Sequence, residues 1–156
     1  MTVNSATTPG QILTSAYVNN MPRGVISSVY DLAAAINNNL VTVQAFLQGP
    51  QFTPVAGRQY RLTWSIGAFF KHTNLGNIDF ELRKDSTTGT ILDGALISGM
   101  PLNQISAISK VTYLTTTQMG TALFTPTLCV TANTAGCAVS NTVYPGSIIF
   151  EDMGAV

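Results

Sequence analysis

"RQYRLTWSIGAFF", residues Arg58 to Phe70, decides the fold. Tyr60, Leu62, Trp64, Ile66, Ala68 and Phe70 alternate with Gln59, Arg61, Thr63, Ser65, Gly67 and Phe69. Successive side chains of a strand point to opposite faces, so one face is apolar without a break and the other mostly polar or small. That pattern predicts a long, half-buried strand of an antiparallel sheet. "NIDFELRKD" (residues 77–85) repeats it, with Ile78, Phe80 and Leu82 inward and Asn77, Asp79, Glu81 and Arg83 outward. "HTNLGN" between the two supplies a hairpin connection, and "DSTTGT" turns the chain again.

Working outward, "GVISSVY" (24–30) and "VTVQAFL" (41–47) read as strands before this pair. "ILDGALISGMPLNQISAIS" (91–109) reads as a strand and then a long loop, because Gly94, Gly99 and Pro101 interrupt it. "KVTYLTTT", "ALFTPTLCVTA", "CAVSNTV" and "SIIFEDM" are the later strands, while "DLAAAINNNL" (31–40) is ambiguous between a helical turn and a loop. Several short strands with no long helix between them predict an all-β fold, an antiparallel, jelly-roll-like β-sandwich over residues 24–156. There is no internal repeat and no sign of a second domain.

The stretch in front of that sandwich is different. In "TPGQILTSAYVNNMPRGVI" (8–26), Ile12, Leu13, Ala16 and Tyr17 recur at helical spacing, and Asn19 and Asn20 before Pro22 end the run. Two turns at most are marginal in water, so the apolar stripe needs a surface, on its own domain or on a neighbour. Residues 1–23 are therefore read as a short helical docking arm, with Ile12, Leu13, Ala16, Tyr17 and Pro22 as its contacts.

Composition narrows the partners. A chain of 156 residues buries roughly 68–70% of its unfolded surface, enough for a core without staples. Seven Lys and Arg balance seven Asp and Glu, and 9% of residues are charged against a usual share of about 25%. Such a chain has no electrostatic footprint for phosphate backbones or anionic lipid, so neither nucleic acid nor a membrane is an expected partner. Its 21 Thr and 11 Asn keep the surface wet instead. Low charge also suits a surface that copies of the chain bury against one another. The N-terminus lacks the basic-then-apolar pattern of a secretion signal, so synthesis in the cytosol is expected.

Few residues offer chemistry. His72 is the one histidine, and no nucleophile elbow accompanies it. Asp79 and Glu81 share a strand face, which suits paired-carboxylate chemistry or calcium, but beside Arg83 on a solvent face ion pairing is favoured. Asp85 and Asp93 read as turn residues. Asp152 falls on the same face as Ile148 and Phe150, so this acid at the end of an apolar row either meets a cation, Arg23 or Arg58, or emerges at the rim. Cys129 and Cys137 in "CVTANTAGC" either bridge across a hairpin or are small reduced side chains, and a cytosolic origin favours the second. No metal site, no cofactor and no catalytic activity is expected.

Taken in order, "GQILTSAYVNNMPRGVI", "TPVAGRQYRLTW", "NIDFELRK", "ALFTPT" and "IIFEDMG" resemble a family of small virion structural proteins of tailed bacteriophages, minor tail or head-decoration proteins. Leu13, Thr14, Asn19, Pro22, Gly24 and Val25 carry the lead. Ala56, Gly57, Arg58, Tyr60 and Trp64 carry the strand, and Glu151, Asp152 and Gly154 the ending. The segment 31–50 is longer than the family's usual connection. The resemblance implies a non-enzymatic β-sandwich made in the bacterial cytoplasm and assembled as a homo-oligomer, a trimer, on the virion. Its partners are then copies of itself and the major capsid protein or tail proteins. Phe69, apolar on an otherwise polar face, is expected at the subunit interface. The alternative is a tail module for host-surface glycans, with Phe69 or Tyr144 stacking on sugars.

Overall fold

The computed structural model describes residues 20–31, 35–36, 41–71, 76–102, 104–134, 137–140 and 145–156. Ten strands form: β1 (Gly24–Asp31), β2 (Ala35–Ile36), β3 (Gln44–Gln48), β4 (Arg58–Lys71), β5 (Ile78–Lys84), β6 (Ile91–Ile97), β7 (Ile105–Thr115), β8 (Pro126–Ala132), β9 (Cys137–Ser140) and β10 (Gly146–Ala155). One sheet has the order β1-β10-β4-β7, with β9 and β2 continuing beyond the far end of β4, and the other the order β3-β8-β5-β6. Every ladder is antiparallel. Counting the eight longer strands in chain order, the first sheet joins the first, eighth, third and sixth, and the second joins the second, seventh, fourth and fifth. That is the wrapping of a jelly roll. The expected all-β sandwich stands. The docking arm's Ile12, Leu13, Ala16 and Tyr17 lie outside the described residues.

The core forms where the period-two rows of the two sheets meet. Tyr60, Leu62, Trp64 and Ile66 of β4 face Ile78, Phe80 and Leu82 of β5 and Leu128 and Val130 of β8, all buried. Phe52 stands between Phe124 and Phe150, its ring centroid 4.8 Å from each. After β7 the chain makes one helical turn, Thr116–Met119, opened by the Thr115 N–H donating to Gln118 Oε1 at 2.9 Å. That turn drops Met119 into the core.

Two margins of the sandwich are closed by polar contacts. On one, Asp93 of β6 accepts from Trp64 Nε1 at 2.8 Å and from Lys110 Nζ of β7 at 2.7 Å. A fully buried indole N–H thereby finds its acceptor. Asp93 is thus a strand residue joining both sheets, not the turn residue its sequence context implied. On the other margin, Ser27 Oγ of β1 donates to the Pro50 carbonyl at 2.9 Å.

Three further expectations are corrected. Phe69 is not on the outer face: a register shift between Ile66 and Phe69 in the β4–β7 ladder reverses the alternation, so Ala68 and Phe69 are both buried. Phe69 packs edge-on to Phe80 at 4.9 Å and is a core residue, not a subunit-interface residue. The region expected as a loop through residue 109 is already β7 from Ile105. Finally, "CVTANTAGC" is no hairpin. It carries the chain from β8 in one sheet to β9 in the other, so Cys129 and Cys137 sit in different sheets, both buried and unbridged. Burial pushes the Cys129 thiol up to about 11, which keeps it an unreactive thiol.

Phe69→Ala therefore removes a core ring. Denaturant unfolding is expected to show a loss of about 3–5 kcal/mol, the usual cost of that truncation in a core. A change within about 0.5 kcal/mol would instead mark an exposed position.

Candidate functional site

The most buried of the ion pairs among the described residues sits where the chain enters β1. Alternation along β10 turns Ile148, Phe150 and Asp152 inward, and Asp152 lies where the apolar row ends, only 2% exposed. Of the two candidate cations, the structure selects Arg58. It opens β4 beside β10, and its Nε donates to Asp152 Oδ2 at 2.6 Å with the arginine side chain 4% exposed. Arg58 Nη2 donates to the carbonyl oxygen of Met21. Asp152 Oδ1 accepts the backbone N–H of Gly154 at 2.9 Å across a bulge in β10. Charges out of water are tolerated when paired and hydrogen-bonded in this way.

Gly154 is required there. Its φ of +104° is a conformation side chains rarely adopt, and a Cβ would lie 3.0 Å from the Asn20 carbonyl oxygen and 3.5 Å from Pro22. The residues just before β1 thus rest directly on the end of β10. Pro22 itself is exposed, beside this contact.

A cleft of about 310 Å³ opens next to it, with Asn20 and Arg23 on one wall and residues 55–58 and Ala155 on the other. The turn in that wall is held by Val55 N–H donating to the Tyr60 hydroxyl at 2.8 Å, Gly57 N–H to Thr116 Oγ1 at 3.3 Å, and Val156 N–H to the Gly57 carbonyl at 3.0 Å. Arg23 is exposed at the lip, and among the described residues it has no carboxylate partner.

The other charged groups form structural pairs. On the outer face of the first sheet, Arg61 Nε and Nη2 donate to both oxygens of Glu151 at 2.5 and 2.8 Å. The hydrogen bond from Arg61 holds the Glu151 carboxyl below its usual range, and the same contact raises Arg61. On the second sheet Glu81 pairs with Arg83 of its own strand at 2.5 Å, rather than across strands. Asp79, one step along that face, is raised by partial burial and then by the charge of Glu81. Among the described residues no group of three His, Cys, Asp or Glu side chains is placed to hold a metal, and no helix is long and apolar enough to cross a membrane. His72 and Tyr144 lie outside the described residues. With Phe69 inside the core, the sugar-stacking platform loses one of its two aromatics.

The resemblance in sequence takes on a spatial meaning here. Three of its five pieces meet at one point: Met21 and Pro22 from the lead, Arg58 from the strand, and Asp152 and Gly154 from the ending. The Trp64–Asp93–Lys110 bridge had one legible signal, an indole N–H in an unbroken apolar row that must find an acceptor, but nothing in the sequence says which acid supplies it.

No family model matches the chain, and no curated protein matches its sequence. Solved structures similar to it include that of the infectious bursal disease virus Gt strain, 9% identical, covering 88% of this chain and 39% of that one, with a TM-score of 0.49. Another is the VP2 subviral particle of infectious bursal disease virus, 8% identical, covering 88% of this chain and 38% of that one, TM-score 0.49. A third is a subunit of Bacillus endospore appendages, described as disulfide-linked pili, 9% identical, covering 88% and 94%, TM-score 0.38. The chain thus spans well under half the length of the bursal disease virus proteins.

Two variants read this chemistry. Asp152→Asn leaves Arg58 buried without its counter-charge, and urea unfolding is expected to show a loss of about 3–5 kcal/mol. Asp79 behaves in the opposite sense. Its folded pKa is raised, so the folded state binds the proton more tightly. Its contribution is most favourable below the unfolded value of about 3.9 and is lost as pH rises through the folded value. Asp79→Asn should raise the melting temperature at pH 7, with the gain shrinking toward pH 3.

Proposed function

We propose that this chain is a non-enzymatic structural module of a virus particle of the tailed-bacteriophage kind. It acts as a homo-oligomeric head-decoration or minor tail component, trimeric as the resemblance implies, attached through residues 1–23. The observation that carries this reading is the joining of lead, strand and ending at the Arg58–Asp152 pair. Three of the five stretches that resemble the phage family thus meet in one structural unit. That unit fixes Met21 and Pro22, just ahead of β1, against the end of β10, and an attachment segment needs such an anchored base.

The surface chemistry agrees with the reading. Among the described residues four ion pairs form, Arg58–Asp152, Arg61–Glu151 and Lys110–Asp93 between strands and Arg83–Glu81 within β5. A chain with so few charges, eight of its fourteen charged residues paired within the fold, is suited to packing against other protein.

The test is loading onto particles. A chain lacking residues 1–19 keeps Met21, and with it the acceptor for Arg58, so it should fold with an unchanged melting temperature yet fail to incorporate. Incorporation of the truncated chain at the full-length level would overturn attachment through the arm. Immunogold labelling of intact particles separates head from tail, and particles bearing no label would overturn the virion assignment itself.

A further inference from the structure

The outer face of the first sheet is divided into three parts. Its registers align residues into rows across four strands: Val25–Glu151–Arg61–Tyr113, then Ser28–Ile149–Thr63–Val111, then Tyr30–Ser147–Ser65–Ser109. The two margins are apolar and open to solvent. Val25 and Tyr30 on β1 are 56% and 71% exposed, and Ile105, Val111 and Tyr113 on β7 are 66%, 53% and 51% exposed. The middle is mostly polar and already satisfied from within. Arg61 holds Glu151 in a two-point contact, and Ser65 Oγ lies 2.8 Å from Ser147 Oγ. That ion pair places its two charges at the centre of this face and leaves neither unpaired.

One molecule cannot bring its own two margins together, because β10 and β4 lie between them. Copies arranged in a ring can. We propose that this chain assembles by placing the β1 margin of one copy against the β7 margin of the next, with the polar middle of each sheet turned toward the ring axis. The partner is a second copy of this chain, and two observations select it. First, the exposed outward side chains Val25, Ser28 and Tyr30 of β1 and Ile105, Val111 and Tyr113 of β7 carry no charge and are mostly apolar, so each row offers the other a surface of its own kind. Second, three antiparallel ladders make β1 and β7 run in opposite directions, so a neighbour's β7 beside β1 continues the alternation of the sheet. A contact between two different margins is heterologous, and such contacts do not stop at a pair: they form a ring where the rotation closes and a filament where it does not. Rotation about an axis along the strands preserves height, so residues of one row meet: Val25 of one copy faces Tyr113 of the next.

This inference rests on the reading of the chain as an oligomeric module, and it is tested on the purified protein so that the two can fail separately. Val25→Cys and Tyr113→Cys variants are treated with a bis-maleimide alone and after mixing and reassembly, with the wild type, whose two cysteines are buried, as control. The expected result is a cross-link in the mixture and in the double variant, and none in either variant alone. Cross-linking of a single variant to itself would mean a two-fold contact and overturn the proposal. So would no cross-link in any combination. Mass in solution gives a second reading. Val111→Lys should reduce the assembly to single chains with the melting curve of a folded domain, while Leu96→Lys on β6 of the other sheet leaves the mass unchanged. The reverse pattern would place the contact on the wrong sheet.

Discussion

Transferring a guanidinium or a carboxylate from water to a protein interior costs several kcal/mol per ion, and Arg58 and Asp152 both make that transfer. Their pairing is made tolerable by geometry that must already exist: β4 beside β10, a bulge that presents the Gly154 N–H, and Met21 curled so that its carbonyl reaches the guanidinium. Each of these comes from a different part of the chain. The pair can form only when the first, third and last long strands of the sandwich are in register. It therefore acts as a check on the assembled fold more than as a source of net stability. An apolar pair of the same volume would hold the strands about as well but would not require one arrangement of them.

Much of the architecture is legible because the sheets obey period two. β4 and β5 present unbroken apolar rows, and the row of β10 runs on through Asp152, an acid that such a row leaves to a cation or to the rim; the fold supplies the cation. What the period does not contain is where it breaks. Nothing local in "SIGAFFK" announces that the β4–β7 ladder slips between Ile66 and Phe69, since that shift is set by the partner strand. One residue of slip moves Phe69 from one face to the other. β7 was obscured for a different reason. Its inward row is Ser106, Ile108, Lys110, Thr112 and Leu114, while its outward row includes Ile105, Val111 and Tyr113, so hydrophobicity runs against the usual sense.

The cysteines show a third limit. Their spacing fits a hairpin as well as a crossover between sheets, and only the topology decides. Likewise Asp93 sits next to Gly94 and looks like part of a turn, yet the need of Trp64 for an acceptor and of Lys110 for a counter-ion makes it a bridge between layers. In each case the missing information is long-range pairing, which no window of neighbouring residues encodes.

The position of β10 has a consequence for how the molecule comes into being. It is the last strand of the sandwich to be synthesised, yet it lies between β1 and β4, pairing Gly24 with Asp152 and Tyr60 with Asp152 across the span of the domain. Until those residues leave the ribosome, β1 has no neighbour in its sheet among the described strands, and β4 shows one flank bare. Folding is therefore held back until β10 has been made and is dominated by contacts distant in sequence, the slow regime for small domains. During that interval a nascent chain carries open strand edges that the finished protein hides, so crowded synthesis on one message is when it is most exposed to pairing with the wrong copy.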